Sequence, residues 1–271
     1  MTDIRQSVHY ANYMAKIGWQ VEESAGIYYF VRKLPLIGSV LKIQRPEEIR
    51  IKKIKELAKK YHTFTIIVEP KTELDAKFLK SVGYKVTKPY SPTKTLQLDL
   101  TKDKNLIFRR FKKDAKYALQ KTKSLKVEGE KDIEKFRNAW KKAVGWKRYV
   151  PPTSHLIALK KTFKTNCFFL SCINASKEIV TGGIFLRAEK IAYYWQAFTS
   201  SEGRQLQAQY KIVWEGILWA KGRGAKIFDF EGIFDPRFPD KSWLGFSHFK
   251  KSFGGYEKEY PGCYVKNRFP L

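Results

Sequence analysis

The sequence predicts an α+β fold in two domains, with mixed, mainly antiparallel sheets, and three observations lead there. The chain has 271 residues, enough for one large or two modest domains with a real core. Hydrophobic residues make up 43% and aromatics 15%, which excludes a disordered tail. An order of helix, paired strands, helix and strand opens the chain, and a related order begins again after a Pro-, Ser-, Thr- and Lys-containing stretch at 85–95. The expected domains are 1–94, completed by 256–271, and 95–255.

The elements follow from periodicity. Between residues 6 and 19, Tyr10, Tyr13, Met14 and Ile17 recur at spacings of three and four, marking an amphipathic helix that Gly18 ends. Two β-rich runs, 27–32 and 39–43, flank Leu34-Pro35-Leu36-Ile37-Gly38 and read as paired antiparallel strands. A helix over 46–61, with Pro46 in its first turn, precedes a strand at 64–68 and a helix at 72–82 that stops at Gly83. Beyond the connector come a strand at 95–100, a basic helix at 105–124, and helices at 132–144 and 155–163. Strands at 167–174, 179–187 and 190–198 form a meander, followed by a helix at 209–221 and a strand at 225–231. The shared order is compatible with a duplicated fold, although no residue-level repeat accompanies it.

Charge narrows the function classes. The balance of 53 Lys and Arg against 26 Asp and Glu leaves a formal charge of +27, which points to a polyanion: nucleic acid, an anionic membrane face or a phosphorylated substrate. Between Lys102 and Lys126 lie ten basic residues and two acids. Leu106, Phe108, Phe111, Ala115, Ala118 and Leu119 supply the apolar face, leaving Arg110, Lys113, Lys116, Lys121 and Lys123 for solvent or for phosphate. Both readings of that face stay open. Cys167, Cys172 and Cys263 lack metal-ligand spacing and read as buried thiols of a reducing compartment. No apolar run approaches the ~20 residues that span a bilayer, and the first residues lack a signal-peptide core, so a cytoplasmic protein, or one peripheral to the inner face of the plasma membrane, is expected. His9, His62, His155 and His248 form neither a triad nor a metal motif, and no P-loop is present.

Two resemblances carry the chemistry. Residues 184–231 have the strand, loop, helix and strand layout of the GNAT acetyltransferases, whose loop glycines admit the coenzyme A pyrophosphate to backbone N–H groups. Here the loop reads Arg204-Gln205-Leu206-Gln207-Ala208-Gln209, without glycine, which implies a GNAT-like scaffold that does not use coenzyme A. Further motifs run along nearly the whole chain: Lys16-Ile17-Gly18-Trp19, Leu34-Pro35 through Arg45-Pro46, Glu69-Pro70, Gln209-Tyr210 through Trp219-Ala220-Lys221, Asp229-Phe230-Glu231-Gly232-Ile233, and Phe249-Lys250-x-x-Phe253-Gly254-Gly255. In order and spacing they resemble the Fem family of peptidoglycan-bridge aminoacyltransferases, in its short, FemX-like form without a coiled-coil arm.

That resemblance implies two GNAT-like domains and transfer of an amino acid from aminoacyl-tRNA to an amine of a peptidoglycan-precursor stem peptide, with a UDP-linked or lipid-linked muropeptide as acceptor. It implies no cofactor, no metal and a monomer. By position, Lys250 is the catalytic lysine and Glu69 an acid near the acceptor. Lys16 is the diphosphate-contacting lysine, and Arg148, three residues before the strict match at Pro151, its assisting arginine. Trp195, Tyr210 and Phe249 line the substrate, Trp195 standing near the family's tyrosine. The glycine pair after Phe253 also calls for positive φ or close backbone approach. Two other classes stay open: a GNAT-scaffold acyltransferase with another donor, and a non-catalytic basic protein binding tRNA or a membrane surface.

Overall fold

The structure, a computed structural model, describes residues 1–146 and 148–268. The first helix, α1 (Val8–Lys16), is capped by the Ser7 hydroxyl and ends at Gly18, whose φ is +87°. Then come β1 (Gln20–Ser24), β2 (Ile27–Leu34), β3 (Gly38–Gln44), α2 (Ile51–Lys60), β4 (Thr63–Glu69), α3 (Glu73–Ser81) and β5 (Lys85–Thr87). The next stretch holds β6 (Lys94–Asp99), α4 (Lys104–Arg109), α5 (Lys113–Lys121), β7 (Lys126–Gly129), α6 (Ile133–Val144) and α7 (Thr153–Phe163). β8 (Cys167–Ile173), β9 (Ile179–Ala188), β10 (Ile191–Thr199), α8 (Ser201–Gln205), α9 (Ala208–Gly222) and β11 (Ile227–Gly232) follow. The chain closes with α10 (Leu244–Lys251), β12 (Tyr256–Glu259) and β13 (Cys263–Asn267).

Two compact units result: 1–94 with 234–241 and 258–271, and 95–233 with 242–257. Residues 269–271 of the first lie outside the described residues. The first unit's sheet runs β1-β2-β3-β4-β13-β5, antiparallel except for the parallel pair β3 and β4. Its core gathers Val31, Leu41, Ile43, Ile66 and Val68 of the sheet under Ile54 and Leu57 of α2 and Leu79 of α3. The second unit's sheet runs β12-β6-β11-β10-β9-β8-β7, with β10 and β11 parallel. Its core packs Ile212, Val213 and Ile217 of α9 against Phe185 and Phe228. Gly216 permits that contact, because a Cβ there would stand 2.2 Å from the Phe185 ring. Both units thus repeat one topology, an antiparallel hairpin whose second strand crosses through a helix to a parallel neighbour.

Several expectations need correction. The helix expected from residue 46 starts at Ile51, because Arg45 takes φ +49° and its N–H donates to Glu69 O, which holds 45–50 off helical geometry. The single basic helix breaks into α4 and α5. Phe111 turns into the aromatic core 5.1 Å from Phe253 and 5.4 Å from Trp214, and the Lys112 N–H leaves the helix to donate to Ser252 O. The connector contains β5, which pairs with β13. The segment expected as a loop at 204–209 is largely helical, with only Gln207 in a left-handed turn, φ +56°.

A candidate active site in the second unit

The second unit places Lys250 where β10 and β11 meet the C-terminal turn of α10. β11 ends in a bulge: Asp229 pairs with Gln97, the next matched pair is Gly232 with Thr95, and Glu231 between them takes φ +58°. The buried Asp229 carboxylate fixes this kink, accepting from the Glu231 N–H at 2.7 Å and from Gln97 Nε2 at 2.8 Å. The Gly232 carbonyl thereby accepts from Lys250 Nζ at 2.6 Å. The ammonium also stands 6.0 Å from the centre of the Tyr194 ring.

Burial dominates the electrostatics of Lys250 and pulls it from 10.5 down to about 8, the Glu231 and Asp229 carboxylates working upward and Arg148 downward. Tyr194 is itself buried, its hydroxyl accepting from Gln209 Nε2, and burial pushes the phenol up. Arg148 donates to Ala197 O at 2.6 Å and lies 5.7 Å over the Trp140 ring; desolvation draws its guanidinium down. Trp195 occupies a second bulge, where β10 pairing steps from Tyr194–Phe185 to Gln196–Ile184. Tyr210 and Phe249 meet edge to face at 4.8 Å and both pack on Phe253. They form the aromatic wall that seats α10. Gly254 and Gly255 have φ +75° and +98°, as the glycine pair requires, and a Cβ on Gly255 would meet Gln97 O at 2.4 Å.

Lys16 and Glu69 belong to the first unit. Lys16 is exposed in the last turn of α1, beside an open cleft that includes Gly18, Trp19 and Arg32. Glu69 is buried at the end of β4, where its carboxylate accepts from Gln44 Nε2 at 2.7 Å, Ser91 Oγ at 2.6 Å, and the N–H groups of Tyr90 at 3.1 Å and Ser91 at 2.5 Å. Next to it, Arg45 joins Asp3 at 2.8 Å and covers the Tyr260 ring at 3.5 Å. Burial alone would raise the Asp3 carboxyl, but Arg45 and Arg5 overcome it and hold the group well below the usual carboxylate range.

Tyr194 lies outside every motif, and Gln209 and Glu231 stand within motifs without a role or a bulge being legible there. Tyr194 neighbours the chosen Trp195, and strand alternation cannot say which faces Lys250 once a bulge shifts the register. The non-glycine left-handed residue in Asp229-Phe230-Glu231-Gly232 leaves no compositional signal. Among the described residues no cluster of metal-ligating side chains occurs, and no helix is long and apolar enough to cross a membrane.

Solved structures share this fold. FemX aligns at TM-score 0.80 and 16% identity, over 98% of this chain and 92% of that one. The C-terminal domain of a putative lysylphosphatidylglycerol synthetase from Agrobacterium fabrum aligns at 0.66 and 12%, over 98% and 89%. A tandem GNAT protein from the clavulanic acid biosynthesis pathway aligns at 0.58 and 11%, over 94% and 85%. The fold is therefore that of two GNAT-like domains. A search of the curated proteins returns no match. The FemAB family model matches residues 130–271, and the chain belongs to the FemAB family. Family and fold together make it a transferase of the acyl or aminoacyl class.

Proposed function

We propose that the protein moves an amino acid from aminoacyl-tRNA to an amine of a peptidoglycan-precursor stem peptide, with the Lys250 ammonium stabilising the oxyanion. The observation that carries this reading is the seat of Lys250: a partly desolvated cation, held by one carbonyl over a buried phenol, inside a unit of FemAB type. In such surroundings a charge acts with little screening by water, and a well-placed donor contributes ~3 kcal/mol to the transition state.

An aminoacyl ester is already activated, so the reaction needs neither ATP nor a covalent enzyme intermediate. The acceptor amine attacks the ester carbonyl, the carbonyl oxygen gains negative charge beside the ammonium, and collapse breaks the bond to the ribose oxygen. The proton lost by the amine ends on that oxygen. Tyr194, fixed through Gln209, would orient Lys250. Trp195 would line the substrate and Arg148 would assist the diphosphate contact, while Tyr210 and Phe249 seat the helix carrying Lys250. In the first unit, Lys16 would face the precursor's phosphates. Glu69 already satisfies four donors, which favours positioning of the 90–91 segment over proton acceptance.

An acyl-coenzyme A donor is disfavoured by the segment before α9. It is helical rather than a phosphate-cradling loop, and its one glycine, Gly203, packs on the Val180 carbonyl, which a Cβ would approach to 2.4 Å. Incubation with charged tRNA and with UDP-linked or lipid-linked muropeptide, followed by mass spectrometry, tests the proposal. A gain of one amino-acid residue on the muropeptide is expected; acylation from acyl-coenzyme A, or binding without product, would refute it.

A further inference from the structure

We propose that the hairpin tip between β2 and β3 is a membrane-docking wedge for a bilayer containing anionic phospholipid. The turn Leu34-Pro35-Leu36-Ile37 sets two consecutive aliphatic side chains in solvent, Leu36 at 108% and Ile37 at 60% of full exposure. One exposed leucine would mean little. Here Leu36 also takes φ +66°, a left-handed backbone that a branched residue adopts at a cost, and no core contact of the side chain compensates for it.

The surroundings of the tip identify its partner. The Ser39 N–H donates to His62 O, and Gly38 packs so closely on that carbonyl that a Cβ would stand 2.4 Å away, which pins the hairpin to the C-terminal end of α2. Exposed Lys33 lies 5.7 Å from the Tyr61 ring, and exposed Lys59 and Lys60 end α2 beside it. Glu22 on this rim is engaged by Lys60 at 2.7 Å and by the Tyr61 hydroxyl. An aliphatic point flanked by lysines and a tyrosine matches the layering of a bilayer surface, with acyl chains below and anionic headgroups above. Nucleic acid fits it poorly, because Leu and Ile can neither pair with phosphate nor stack on bases as aromatic rings do. With no membrane-crossing helix among the described residues, such contact would be peripheral. Lipid binding at the tip does not depend on the proposed transfer reaction.

All three cysteines are buried, so Leu36→Cys in the full chain gives one accessible site for an environment-sensitive fluorophore. Phosphatidylcholine vesicles with about a quarter phosphatidylglycerol should shift its emission to the blue and carry the unlabelled protein upward on flotation, both effects weakening in high salt. The variant Leu36→Asp/Ile37→Asp should lose about tenfold or more in vesicle partition, with Tm and transfer to a soluble acceptor unchanged. Lys33→Glu/Lys59→Glu should weaken association without abolishing it. Flotation of the double aspartate variant equal to wild type would overturn the proposal, as would wild type ignoring anionic vesicles. A tip substitution that changed self-association while vesicles went unbound would make the tip a protein contact instead.

Discussion

Lys250 combines two properties that are usually opposed, a positive charge and a poorly hydrated site. Its fall to about 8 has a catalytic consequence: as pH rises through that value, the ammonium donor is lost and the transfer rate should fall. Lys250→Arg keeps its charge far above this range, so any residual activity of that variant should lack the descending limb. A rate that instead rose through pH 8 and stayed high would make the neutral amine the working form. The stability effect runs the other way. The native state releases this proton near 8 and the unfolded chain near 10.5, so the unfolded state binds more protons in between and folding stability rises across that window.

At the scale of elements, Glu69 joins the end of β4 to the segment after β5. Replacing the carboxylate by an amide turns an NH2 group toward donors, so Glu69→Gln should cost about 1 to 3 kcal/mol and lower Tm, with KM for the acceptor affected more than kcat. An unchanged Tm would show that the clamp contributes nothing. Elements with strong periodicity were legible in the sequence. The meander, α6, α9 and the β2–β3 hairpin follow from local pattern, and the Fem-like motifs single out Lys250 and Glu69 as candidates. What escaped depended on distant partners. β13 lies nearly 200 residues from β4, its partner, and the break between α4 and α5 is made by Phe253 and Ser252, which no local window over Arg110 to Lys112 includes. Bulges at Trp195 and Glu231 shift which side chains face the site, and neither residue type announces one.

For the whole molecule, the +27 charge acquires an internal distribution. Nine of the ten cations between Lys102 and Lys126 are exposed, while Lys250 is drawn inward and Arg45 is buried against Asp3. If tRNA is the donor, as proposed, the exposed set would be its electrostatic approach, and binding there should weaken with salt. The triple variant Lys104→Glu/Lys113→Glu/Lys121→Glu should reduce tRNA affinity and flatten the salt dependence by about 0.7 to 0.9 in log–log slope per lysine removed. Affinity insensitive to salt would leave this face as a solvated surface.

If the Lys250 ammonium stabilises the oxyanion of aminoacyl transfer, as proposed, single-turnover transfer by Lys250→Met should expose the loss. Charged tRNA and muropeptide are mixed with excess enzyme at pH 7, and Tm is measured on the same sample. Because the native site disfavours charge, Tm should hold or rise, while the rate should fall roughly 100- to 1,000-fold. A folded Lys250→Met protein transferring at close to the wild-type rate would remove the lysine from the chemistry.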